Sequence, residues 1–190
     1  MSGSRVTPWI LREDRRYGDG HTWVVPAGDH VVRVGIDSLA GYLIDALRAV
    51  FGPQCGQTVA CGDWLCVLDT PLGNLMIRTP CPGQVRCGNP ALARDPGLLL
   101  SSPYDEGWLA ELDCSSVEGA DPFAALVPVD VARDRVRHDL QRFRRQVAMH
   151  LLTDADEVGP TLADGGERFT ALPQMLGAQR YLSLVQDLLL

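Results

Sequence analysis

The sequence predicts a mainly β fold of α+β class that ends in a helical extension. Three observations predict it. Between residues 17 and 127, apolar residues come in brief, partly alternating runs broken by Gly, Pro or Asn, the pattern of short strands and tight turns. One stretch inside that region switches to a 3.6-residue period. From Pro128 onward a continuous apolar stripe runs through an Arg- and Asp-rich segment, as in an amphipathic helix.

Taken in order, residues 1–16 form a polar, arginine-rich lead-in expected to be loosely ordered. Strands are expected over HTWVV (21–25), HVVRVGI (30–36), WLCVLDT (64–70), LMIRTP (75–80) and GQVRCG (83–88). A helix is expected from Ser38 to about Val50, because Leu39, Leu43, Ala46, Leu47 and Val50 recur at helical spacing. Pro128 suits the first turn of a long helix whose stripe is Val129, Ala132, Val136, Leu140, Phe143, Val147 and Leu151. The run TDADEVGPTLADGGERFTALP (153–173) reads as a loop with several breakers. A last helix starts near Leu172 or Ala178 and presents Tyr181, Leu182, Val185, Leu188 and Leu189 on one face. Neither helix would stand alone in water, so the two are expected to pack as a pair or against the β region. The domain reading is a lead-in at 1–16, a β domain at 17–127 and a helical extension at 128–190.

Composition narrows the function. The 190 residues are 46% hydrophobic and carry a net charge of −7, which disfavours a nucleic-acid partner. Arginines cluster between Arg133 and Arg145, but aspartates interleave with them. No apolar run reaches the roughly 18 residues a membrane span needs, and the N-terminus has no apolar segment after its basic residues. A cytoplasmic location is expected, where the six cysteines stand as thiols. There is no lysine: all 17 Lys+Arg positions are arginine. Codon bias in a GC-rich genome accounts for most of such a depletion.

Little reads as an active site. Cys55, Cys61, Cys66, Cys81 and Cys87 fall within the β stretch and Cys114 follows, with no C-x-x-C pair and no standard metal spacing. His138 and His150 lack the i, i+4 spacing of a helical metal pair. No phosphate loop, dinucleotide fingerprint or nucleophile elbow is present. Asp69, a lone acid at a turn, reads as that turn's cap. No catalytic residue, cofactor or metal is expected.

Several motifs at fixed spacing resemble the H-protein family of the glycine cleavage system. They are Tyr17 followed by His21-Thr-Trp23, then Val34-Gly35-Ile36, then Pro53-Gln-Cys-Gly56-Gln-Thr-Val59. Pro80-Cys-Pro-Gly83-Gln-Val85, Ala91-Leu92 and Asp95-Pro96-Gly-Leu98 follow, with asparagine replaced in the last. The set closes with Pro103-Tyr104-Asp-Glu106-Gly107-Trp108-Leu109. The resemblance implies a lipoyl-domain-like flattened β-barrel or hybrid sandwich. The family carries an aminomethyl group on lipoic acid, amide-linked to a lysine at a hairpin tip. Where the family reads E-S-V-K-A, this chain reads Asp69-Thr70-Pro71-Leu72-Gly73, so Leu72 occupies the lipoyl-lysine position. Pro71 removes a backbone N–H and fixes φ beside that position. The resemblance also places a carrier arm near residues such as His21, Trp23, Tyr104 and Trp108, which by themselves read as core and turn residues.

The expected function is a non-lipoylated H-like protein acting as a non-catalytic adaptor. Its hairpin 69–73 would dock on a protein partner, an oxidoreductase or one-carbon enzyme encoded nearby. The alternative is a cysteine-based redox or metal-binding protein in which Cys55, Cys61, Cys66, Cys81 and Cys87 replace lipoate's sulfurs.

Overall fold

The structure, a computed structural model, describes residues 10–115, 121–153 and 172–190. The 153–173 loop reading therefore falls almost wholly outside the described residues, apart from its ends.

Among the described residues nine strands form two antiparallel sheets. The larger has the order β1 (Arg16–Tyr17), β2 (Thr22–Gly28), β3 (Val31–Ile36), β9 (Ala110–Asp113), β8 (Gly83–Gly88) and β5 (Thr58–Val59). The smaller has the order β4 (Ala49–Phe51), β6 (Trp64–Thr70) and β7 (Gly73–Arg78). Alternation puts Ala110 and Leu112 inward on β9, and Leu75 and Ile77 inward on β7, as a half-buried strand requires. These join Trp23, Val34, Ile36 and Leu68 in one core. The backbones of Tyr17 and Val127 exchange hydrogen bonds of 2.9 and 2.8 Å, which ties the two ends of the β region together.

Helix α1 (Ser38–Ile44) is capped by Asp37, whose carboxylate accepts from the N–H groups of Leu39 and Ala40, both at 2.9 Å. It ends six residues short of the expected Val50. Asp45 turns into the left-handed region at φ 63°, and the chain reverses into β4, where Val50 pairs with Leu68. Periodicity over 46–50 was thus overridden by strand pairing. A short α2 (Leu98–Ser101) precedes β9.

The lead-in is better ordered from residue 10 than its polarity suggests. Leu11 is buried, and the Arg15 guanidinium lies over the rings of Trp23 (4.5 Å) and Tyr104 (5.0 Å) while donating to the Tyr104 carbonyl. Asp14, hydrogen-bonded to Arg15, has its carboxyl held below the usual range by that contact.

Among the described residues beyond Pro128 there are three helices: α3 (Val129–Thr153), α4 (Leu172–Leu176) and α5 (Ala178–Leu188). The expected stripe is real, with Ala132, Val136, Leu140, Phe143 and Val147 all buried. Gly177, at φ 81°, breaks α4 from α5, a bend that a side chain rarely adopts. Phe143 of α3 meets Tyr181 of α5 edge-on at 6.2 Å, and the Tyr181 hydroxyl donates to the Leu43 carbonyl at 2.7 Å. The extension therefore shares one core with the β domain. No helix among the described residues is long and apolar enough to cross a membrane.

Candidate functional site: a covered hairpin

Strands β6 and β7 meet in a two-residue loop, Pro71-Leu72, closed by the pair Thr70 and Gly73. Tight hairpins usually place positive φ at their central residues. Pro71 cannot do so, and the unusual conformation moves to Gly73 at φ 141°. The Thr70 hydroxyl organises the loop. It accepts from the N–H groups of Leu72 (3.1 Å) and Gly73 (3.2 Å) and donates to the Gly73 carbonyl (2.7 Å). Thr70, and not Asp69, is the cap of this turn. Asp69 instead pairs with Asn74, and its carbonyl accepts from the N–H of Arg48. An S/T two residues before a tip is a local capping signal, and the sequence showed it.

The tip does not project freely. Pro71 is exposed, but Leu72 is half-buried and packs on the core. A cavity of about 370 Å³ separates it from the end of α1 and from α4, with Tyr42, Ile44, Pro173 and Gln174 in its walls. Helix α5 runs along the outer side of β7. A Cβ placed on Gly73 would come within 2.8 Å of Leu182. One turn further on, the Gln186 side-chain amide takes both backbone groups of Met76, accepting from its N–H at 2.7 Å and donating to its carbonyl at 3.0 Å. Strand β7 is the edge of its sheet, and an edge leaves N–H and C=O groups unpaired. Gln186 stands in for a missing strand there. At its far end α5 reaches the β1–β2 turn, where a Cβ on Gly20 would meet the Leu189 carbonyl at 2.5 Å.

Replacing Gln186 by Met keeps the volume but orphans both Met76 groups. Stability is expected to fall by about 1–3 kcal/mol. Faster hydrogen exchange at the Met76 amide, with exchange in β9 unchanged, checks it.

The aromatic residues hold structure. Trp23 is almost fully buried and donates its Nε1–H to the carbonyls of Ile36 (2.8 Å) and Pro103 (3.1 Å). Burial raises the Tyr104 phenol to about 12, and its hydroxyl accepts from the Ser38 N–H. Trp108 is half-buried, with the Arg33 guanidinium 4.9 Å over its ring. His21 lies buried beneath α3, away from the hairpin tip.

Cys81 neighbours Cys114 and Cys61, Cys87 neighbours Cys55, and Cys66 is buried by itself. Cys55 and Cys61 are exposed, Cys87 is intermediate, and Cys66, Cys81 and Cys114 are buried; all six are free. Burial pushes the Cys66 thiol up to about 12. Burial and then the Glu111 carboxylate raise Cys87. The Cys81 thiol, hydrogen-bonded to Cys114, is raised, and the same bond holds Cys114 below its ordinary value. Among the described residues no three His, Cys, Asp or Glu side chains are grouped to hold a metal ion. His138 is largely exposed beside Asp139.

This arrangement of two sheets and one closed hairpin has known counterparts. The model of the family "Glycine cleavage H-protein" matches residues 15–127. The chain belongs to that family. The glycine cleavage system H protein of Alteromonas mediterranea is 37% identical over 109 residues, covering 56% of this chain and 84% of that protein. The one from Pseudoalteromonas atlantica is 35% identical over 112 residues, covering 57% and 87%. The crystal structure of the H protein from Mycobacterium marinum superposes with a TM-score of 0.57 at 26% identity, covering 66% of this chain and 98% of that one. The family match stops at Val127, the residue bridged to Tyr17, so α3, α4 and α5 stand beyond the H-protein unit.

Proposed function

We propose that this H-protein relative is a non-lipoylated, non-catalytic adaptor that docks on a partner enzyme through the hairpin tip and the adjoining helices. One observation carries the reading: the tip presents Pro71 and Leu72, bonded through Thr70, with α5 packed along the strand behind it. Lipoyl transfer needs a primary amine at that tip, and the chain contains no lysine. The surface left at the tip is small and apolar, with Pro71 exposed and Pro173 of α4 across the cavity from Leu72. An apolar knob of this kind fits a partner pocket, where affinity concentrates in a few buried contacts. The enzyme recognised would be an oxidoreductase or a one-carbon enzyme, by extension from the family's system.

The test has two arms. Intact mass after co-expression with a lipoate ligase and lipoate is expected to show no lipoyl adduct. Leu72→Lys alone is expected to modify poorly, because Pro71 and Gly73 shape the loop and α5 crowds it. Restoring the loop to E-S-V-K-A together with Leu182→Ala, which removes the α5 side chain that abuts Gly73, is expected to improve modification. In the second arm, pull-down from the native host is compared between the natural chain and Pro71→Glu. A partner enzyme retained equally by both would remove the hairpin from the interface, and a chain recovered only as a free monomer would remove the adaptor reading.

A further inference from the structure

We propose that His21 is a pH-sensitive latch between the β domain and the C-terminal extension, its protonated imidazole bridging Asp37 at the head of α1 and Asp139 on α3.

The hydrogen-bond inventory leads there. His21 Nδ1 lies 2.9 Å from Asp37 Oδ2, with both side chains buried. Two acceptors cannot share that contact, so Nδ1 carries a proton and donates it to the carboxylate. Asp37 Oδ1 is already committed to the N–H groups of Leu39 and Ala40. That leaves Nε2, which is buried and has no hydrogen-bond partner. The nearest charge is Asp139 Oδ2, at 3.9 Å. A neutral ring would turn a bare lone pair toward a carboxylate. A protonated ring turns an N–H toward it, and only that form gives the buried nitrogen something to do.

The surrounding charges agree. A cavity of about 310 Å³ lies between the β1–β2 turn, α3 and the end of α5. Asp19 reaches it from the turn, Arg135 and Arg142 from α3, and Asp187 from α5. Arg135 is taken by Asp19 at 2.9 Å. Arg142 and His138 approach the other oxygen of Asp139, at 3.8 and 3.6 Å, leaving Oδ2 for His21. Tyr17 also lines the cavity; burial raises its phenol, so it stays neutral throughout the relevant range. Burial of the ring opposes a charge on His21, but Asp37 first and then Asp139 outweigh it, and the imidazole is raised above its ordinary value.

The sign follows from linkage. A histidine raised in the folded state stabilises it fully below its unfolded value of about 6.5, and the stabilisation is lost as pH rises through the folded value. Alkaline pH therefore slackens α3 on the β domain, and acid tightens it. The turn itself cannot retreat: His21 sits at φ 56°, its carbonyl accepts from the Asp37 N–H, and Gly20 abuts Leu189. What yields is the helix.

The test uses the full chain. Imidazole resonances are followed from pH 5 to 9.5, alongside hydrogen exchange of the Ala132–Val147 amides corrected for intrinsic rate. His21 is expected to titrate above the ordinary histidine value of about 6.5, and α3 protection to fall roughly tenfold across the same midpoint while β9 holds. Asp139→Asn is expected to lower the His21 midpoint and flatten the α3 response. His21→Gln should abolish the pH dependence; if it does not fold, Asp139→Asn carries the test. A His21 already neutral at pH 6, or an α3 response that Asp139→Asn leaves unchanged, would overturn the proposal.

Discussion

Phe143→Ala is expected to lower stability by about 3–5 kcal/mol, the range for removing a large aromatic side chain from a packed core. Phe143 is fully buried at the point where α3 meets α5, and it is the ring against which Tyr181 is set. Tyr181 in turn bonds the Leu43 carbonyl at the end of α1, so the cavity would open where the extension is fastened to the β domain. Total stability of a domain this size is about 5–15 kcal/mol. The loss is therefore expected to appear in two ways. The denaturation midpoint should drop, and hydrogen exchange should accelerate across α3 and α5 before it does so in β3 and β9. Equal acceleration in all four elements would mean that the extension and the β domain unfold only together.

Gly35→Ala is the second large effect, from an opposite cause. Gly35 lies on β3 opposite Trp23, and a methyl group there would sit 2.3 Å from the indole Cζ2 and 2.5 Å from Cε2. Overpacking usually costs about 1–3 kcal/mol because neighbours shift. Here the indole is held by two hydrogen bonds and covered by the Arg15 guanidinium, so it has nowhere to move. A loss at or above the top of that range is expected, with a change in Trp fluorescence. A paired Trp23→Phe substitution should recover part of it if ring crowding is the cause, and none if backbone strain is.

The sequence made the family fold legible because its signals were local and mutually consistent. Strands expected at 64–70 and 83–88 are β6 and β8 to the residue, and that expected at 30–36 is β3 starting one residue later, at Val31. Of the expected α3 stripe, Ala132, Val136, Leu140, Phe143 and Val147 are buried, and Val129 and Leu151 at its two ends are half-buried. The failures were of two kinds. Residues 46–50 carry a helical period but lie beside β6, and the gain from pairing Val50 with Leu68 outweighed it. Arg15 falls in the lead-in expected to be loosely ordered, because nothing in a linear reading shows that two rings converge on it. The hairpin was placed correctly in sequence, with its β6–β7 loop at 71–72. Its burial was not readable, since that depends on α5, which is more than a hundred residues away, returning to lie along β7.

That return makes α5 a tethered competitor. Any outside strand or arm that would add to the β7 edge must first displace a ligand joined to the same chain, present at an effective concentration on the order of millimolar or higher. Where α5 itself holds the edge with micromolar intrinsic affinity, an intruder's apparent affinity falls by roughly three powers of ten. The edge is therefore closed to casual pairing, and a partner that succeeds must either grip α5 itself or be built to peel it away.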